Sequence, residues 1–60
     1  MEPQSISESY IAWVERESDK HAGKRLAQYI LRRAAESGYN AGMLTPPELA
    51  HILRRIESNL

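Results

Sequence analysis

The most constraining feature of this chain is a run of apolar residues at helical spacing directly after a helix-start signal. Thr45-Pro46-Pro47-Glu48 combines an N-cap residue, proline at the first helical position and glutamate at the third. After this signal, apolar residues recur every three or four positions, at Leu49, Ile52, Leu53, Ile56 and Leu60. The pattern predicts a helix over about residues 46–58 with one apolar face.

Two further helices are predicted upstream. Ser5-Ile6-Ser7-Glu8 is a capping box and begins a helix over about residues 6–18, with Ile11 and Trp13 at the edges of its apolar stripe. A second helix is predicted over about residues 20–37, with Gly38 ending it in the left-handed conformation. Its predicted apolar stripe consists of Leu26, Ala27, Ile30, Leu31 and Ala34.

These two helices are predicted to be separate. The apolar stripe of the first lies about 130° around a helix from that of the second, so one straight helix would present two apolar faces. A break near Ser18 to Gly23, with Ser18 or Asp19 capping the second helix, brings both stripes onto one core. The residues predicted to be buried together are Leu26, Ile30, Ala34, Leu49, Ile52, Leu53 and Ile56, with Met43 and Leu44 tucked against them.

Chain length decides whether such a bundle is stable alone. Folding sixty residues would bury on the order of 6,000 Å², a gain of ~90 kcal/mol from the apolar part. Ordering the chain costs ~1.5 kcal/mol per residue, again ~90 kcal/mol. We therefore expect an all-α two- or three-helix bundle completed by homodimerisation. It forms a single domain over residues 1–60, with residues 1–5 as a flexible N terminus.

The charges balance overall but are unevenly placed. Eight basic residues match eight acidic ones, so the chain lacks the basic excess of a general polyanion binder. Residues 1–19 hold one basic and five acidic residues, a net −4, and residues 20–60 hold seven and three, a net +4. This split favours two halves that attract each other or an oligomer that meets head to tail. A nucleic-acid surface shielded by an acidic segment is the alternative.

Several classes of function are disfavoured. The chain shows no secretory signal and no apolar run near the ~20 residues of a membrane helix, so we expect a cytoplasmic protein without a membrane partner. Because cysteine is absent and so short a chain leaves little room for a pocket of ~300 Å³, we predict no enzyme and no cofactor. Glu48 and His51 have the spacing of a di-iron motif, but it occurs once, so no metal site is predicted.

We predict a non-catalytic module that binds another protein, as a regulator, inhibitor or adaptor. Aromatic and arginine side chains dominate such interfaces, and the predicted contact residues are Tyr10, Trp13, Arg25, Arg32, Tyr39 and Arg55. The alternative is a small DNA-binding transcriptional regulator that uses the basic face of the second helix, with the break before it as the turn of a helix-turn-helix motif. The residues that would approach DNA are Lys20, His21, Lys24, Arg25, Arg32 and Arg33.

Overall fold

The chain folds into three helices, and no strand occurs among the described residues. The computed structural model describes residues 6–60, with side chains from Glu8 onward. Helix α1 spans Ile6–Lys20, α2 spans Arg25–Asn40 and α3 spans Pro46–Ser58. The all-helical prediction is confirmed for this part of the chain, and each helix packs against the other two. The predicted capping box at Ser5 and the predicted flexible residues 1–5 lie outside the described part.

Helix α3 begins and ends where its sequence pattern predicts. The Glu48 backbone N–H donates to the Thr45 hydroxyl, and the Thr45 backbone N–H donates to the Glu48 carboxylate at 2.8 Å. This capping box orients the preceding turn, from which Leu44 enters the core. Ile52 and Ile56 are buried as predicted, whereas Leu49 and Leu53 are only half-buried.

Helix α2 begins and ends later than predicted. It starts at Arg25 rather than near residue 20, because α1 continues to Lys20 and a turn over residues 21–24 follows. Ser18 and Asp19 lie inside α1, and Lys24 occupies the N-cap of α2 without a side-chain hydrogen bond. The predicted cap at Ser18 or Asp19 is therefore wrong.

Gly38 does not end α2, contrary to the prediction. It lies buried within the helix, where a Cβ atom would stand 3.0 Å from Cε1 of the Tyr10 ring. Gly42, with φ at +79°, supplies the left-handed residue of the turn that follows. The glycine at position 38 therefore serves close packing of α1 on α2.

The inward face of α2 also differs from its predicted apolar stripe. The residues of α2 that are buried are Gln28, Leu31, Ala35 and Gly38. Leu26 and Ile30, predicted to be buried, are 72% and 58% exposed. The small residues Ala35 and Gly38 let α2 approach its neighbours closely, and turning them inward rotates Leu26 and Ile30 outward.

The resulting core is small. Its buried hydrophobic residues are Val14, Leu31, Ala35, Leu44, Ile52 and Ile56. The large hydrophobic side chains that stay exposed are Trp13, Leu26, Tyr29, Ile30, Tyr39 and Leu60. The described chain thus exposes as many large apolar side chains as it has apolar residues in its core, and these exposed side chains define the surfaces that matter for function.

Candidate interaction surfaces

A groove of about 580 Å³ lies between α2 and α3. One wall carries Arg25, Tyr29 and Arg32, which share one face of α2 because they are spaced at i, i+4 and i+7. The other residues around this arginine groove are Gln28, Leu53, Ile56, Glu57 and Leu60. The expectation that so short a chain lacks a pocket of this size is wrong, because exposed side chains such as Tyr29 and Leu60 stand up as walls.

The two arginines of this groove are available for contacts. The Arg32 Nε atom lies 3.7 Å from a Glu36 carboxylate oxygen one turn further along α2, and both side chains are largely exposed. Exposed pairs at this spacing contribute only ~0.3–0.5 kcal/mol, so the guanidinium can exchange this partner for another. Arg25 makes no ion pair with any described residue. The groove thus combines an apolar floor, formed by Leu53 and Ile56, with two cationic side chains.

Two of the predicted contact residues serve the fold. The Tyr10 hydroxyl donates to the Ala34 carbonyl oxygen of α2, and its ring packs against the core. Arg55 donates two hydrogen bonds to the Asp19 carboxylate, from Nε to Oδ1 at 2.8 Å and from Nη2 to Oδ2 at 2.6 Å. Hydrogen bonds from Arg55 first, and from Asn59 second, lower the pKa of Asp19 to about 2.

Ion pairs between α1 and α3 explain much of the uneven charge. Besides the Asp19–Arg55 pair, a Glu15 carboxylate oxygen lies 3.3 Å from Nε2 of His51 and 3.5 Å from Nη1 of Arg55. The acidic first helix therefore attracts the basic third helix within one chain. This is one of the two arrangements that the charge split favours.

Trp13 borders a second, smaller groove, of about 250 Å³, between α1 and α2. Ala27 and Ile30 line the α2 side, and Leu26 stands exposed one turn before Ile30. We call Trp13, Leu26, Ala27 and Ile30 together the tryptophan face. The last predicted contact residue, Tyr39, is exposed in the final turn of α2 and lines neither groove.

Six residues of the arginine groove are absent from the predicted contact set: Gln28, Tyr29, Leu53, Ile56, Glu57 and Leu60. Spacing could have identified Tyr29, because it lies four residues after Arg25 and three before Arg32. Apolar periodicity assigns Leu53 to the core. The local sequence does not distinguish a half-buried residue of an apolar stripe from a fully buried one.

No protein-family model matches the chain, and neither a curated protein nor a solved structure matches it. In residues 6–60, none of the helices offers an apolar stretch of the length that a bilayer crossing requires. No cluster of three or more His, Asp and Glu side chains suited to a metal ion occurs in the same residues. Function is therefore inferred from the chemistry of the two grooves.

Proposed function

We propose that the chain is a non-catalytic protein-binding module, a regulator, inhibitor or adaptor, and that the arginine groove is its contact surface. The observation that carries this proposal is an open groove that combines an apolar floor with Arg25, Tyr29 and Arg32 on one wall. Tyrosine and arginine beside an apolar floor are the residue types that supply most of the energy of protein interfaces.

The groove also indicates the chemistry of the segment it binds. Arg25 and Arg32 lie two helical turns apart, roughly 10 Å along α2. Guanidinium groups bind carboxylates with two parallel hydrogen bonds, and the floor accepts apolar side chains. An amphipathic helix with carboxylates beside its apolar stripe meets both requirements.

Homodimerisation and a cytoplasmic location belong to the same proposal. The opposing free-energy terms of a sixty-residue chain nearly cancel, so burial of further apolar side chains against a second copy would stabilise the fold.

The second candidate is a DNA-binding regulator, which the start of α2 favours. Lys20, Lys24 and Arg25 are exposed there, and no side chain caps the helix, so its first N–H groups can donate to a phosphate. Against it stand the zero net charge and the apolar floor between α2 and α3, which a nucleic-acid backbone does not fill.

Affinity capture with the immobilised chain tests the first proposal. The variant is Arg25→Ala with Arg32→Ala, and the matched control is Arg16→Ala with Arg54→Ala, two exposed arginines outside both grooves. Proteins identified by mass spectrometry are compared between these baits. We expect at least one protein to be captured by both the wild type and the control. The groove variant should capture this protein at least about tenfold more weakly.

Circular dichroism must show equal helix content in all three baits. Equal capture by the groove variant would contradict the proposal. A mobility shift of duplex DNA that weakens steeply with salt and disappears in the groove variant would favour the alternative function.

A further inference from the structure

We infer that the tryptophan face is a self-association surface on which a second copy of this chain docks about a two-fold axis. This inference rests on the homodimer proposed above and names the surface that forms it. The face holds three of the large exposed apolar side chains, with Leu26 72%, Ile30 58% and Trp13 43% exposed.

The shape of this face is complementary to the same face on a second copy. Leu26 and Ile30, one turn apart on α2, form a ridge, and the groove of about 250 Å³ beside Trp13 lies directly next to that ridge. A two-fold axis brings the same patch of both copies together, so an interface of this kind needs a protrusion and a recess on one face. Each ridge can then enter the groove of the other copy.

The charges at the edges of the face are also complementary. Glu17 lines the groove on the α1 side, with one carboxylate oxygen 3.8 Å from Nε2 of His21. Arg33 is exposed three residues after Ile30 and so lies one turn beyond the ridge, and it makes no ion pair with the described residues. When a ridge enters the groove of a second copy, its arginine approaches the carboxylate on the opposite groove wall. The groove is also smaller than the ~300 Å³ of a small-molecule site, which favours a macromolecular occupant.

This arrangement leaves the arginine grooves free. Arg25 and Arg32 lie roughly 130° around α2 from the ridge, at 100° per residue. A dimer joined through its tryptophan faces therefore presents two arginine grooves on its outer sides. It would bind two copies of a partner segment.

Sedimentation velocity over a wide protein concentration range, together with Trp13 fluorescence, tests the inference. Trp13 is the only tryptophan, so its quenching by acrylamide reports on this face alone. We expect dimer formation with rising concentration and, in parallel, at least a twofold fall in the quenching constant of Trp13.

The interface variant is Leu26→Lys with Ile30→Lys. Its matched control is Tyr29→Lys with Leu60→Lys, which also replaces two exposed apolar side chains but lies on the arginine groove. We expect the interface variant to dissociate at least tenfold more readily and the control to dimerise like the wild type. If the interface variant loses helix content by circular dichroism, Leu26→Gln with Ile30→Gln, which adds no charge beside Lys24 and Arg25, replaces it in the same measurement.

Three results would overturn the inference, and they are distinguishable. A wild type that stays monomeric at high micromolar concentration rejects the homodimer as well. A dimer whose Trp13 quenching is independent of concentration, or one that the control weakens and the interface variant does not, leaves the homodimer standing and places its interface elsewhere.

Discussion

Tyr10 and Gly38 form a close packing contact between α1 and α2. The Tyr10 ring lies over the backbone of Gly38, and its hydroxyl is bound to the Ala34 carbonyl one turn earlier. The hydrogen bond prevents the ring from withdrawing. A residue that local patterns assign to a helix end therefore has its role set by a side chain 28 positions away in the sequence.

We predict that Gly38→Ala lowers the free energy of unfolding when Tyr10 is present and raises it when Tyr10 is replaced by alanine. In the wild type the new Cβ meets Tyr10 Cε1 at 3.0 Å, and overpacking of this kind costs ~1–3 kcal/mol. With Tyr10→Ala the clash is gone, and alanine gains ~1 kcal/mol over glycine inside a helix. Urea unfolding should show a lower free energy of unfolding in the first background and a higher one in the second. An equal gain in both would mean that the ring moves aside freely.

At the scale of the elements, Gln28 joins the end of α1 to the body of α2. Its amide nitrogen donates to the carbonyl oxygens of Ser18 at 3.0 Å and His21 at 2.8 Å, and its amide oxygen accepts from the Ser18 hydroxyl. The Ser18 carbonyl belongs to the last turn of α1, where the helix itself supplies no donor. The His21 carbonyl lies in the turn after it and also accepts from the Lys24 N–H at 3.0 Å. A fully buried polar side chain thereby replaces a conventional helix cap.

The end of α3 extends this polar junction. The Asn59 amide nitrogen donates to the Ser18 hydroxyl at 2.9 Å and to Asp19 Oδ1 at 2.8 Å, while the Asn59 carbonyl oxygen accepts from the Gly23 N–H at 2.7 Å. All three helices therefore meet at one end of the bundle through hydrogen bonds.

We predict that Gln28→Met destabilises the chain by ~1–3 kcal/mol, because the carbonyls and the Ser18 hydroxyl lose a buried partner. Ser18→Ala combined with Gln28→Met should cost less than the sum of the single changes, since both partners of one hydrogen bond are then gone. Arg54→Met, which replaces an exposed arginine outside both grooves, is the control and should stay near the wild type. Thermal unfolding at equal protein concentration measures all four variants. Additive effects would show that the two side chains act independently.

For the whole molecule, the ion pair between Asp19 of α1 and Arg55 of α3 connects stability to pH. The pKa of Asp19 falls from 3.8 to about 2 in the folded chain, chiefly through Arg55. A carboxyl whose pKa is lowered by folding stabilises the fold above its unfolded pKa, and this stabilisation disappears as pH falls through the folded pKa. This stabilisation is therefore lost between about pH 4 and pH 2.

We predict that Asp19→Asn and Arg55→Gln each flatten the loss of stability between pH 4 and pH 2. The first removes the titrating group, and the second removes the main cause of its lowered pKa. Urea midpoints at several pH values in this range measure the slope. Added salt should weaken the wild-type effect, because both side chains are exposed. A slope unchanged in both variants would show that other carboxyls cause the acid sensitivity.

Much of this architecture is encoded locally. The capping box at Thr45 and Glu48 and the stripe through Ile52 and Ile56 determine the bounds and the inner face of α3, because capping and amphipathicity act within a few residues. The prediction that Arg25 and Arg32 lie together on one exposed face also follows from helical spacing alone.

Only the tertiary structure decided which face of α2 turns inward. Periodicity ranks side chains by polarity and so selects Leu26 and Ile30 for the core. The folded chain instead buries Gln28, whose hydrogen bonds come from the end of α1, and Gly38, whose missing side chain admits Tyr10. The residues that allow Gln28 and Gly38 to be buried lie outside α2. The rotation of α2 therefore arises from the fit between helices, and this rotation also creates the arginine groove and the tryptophan face.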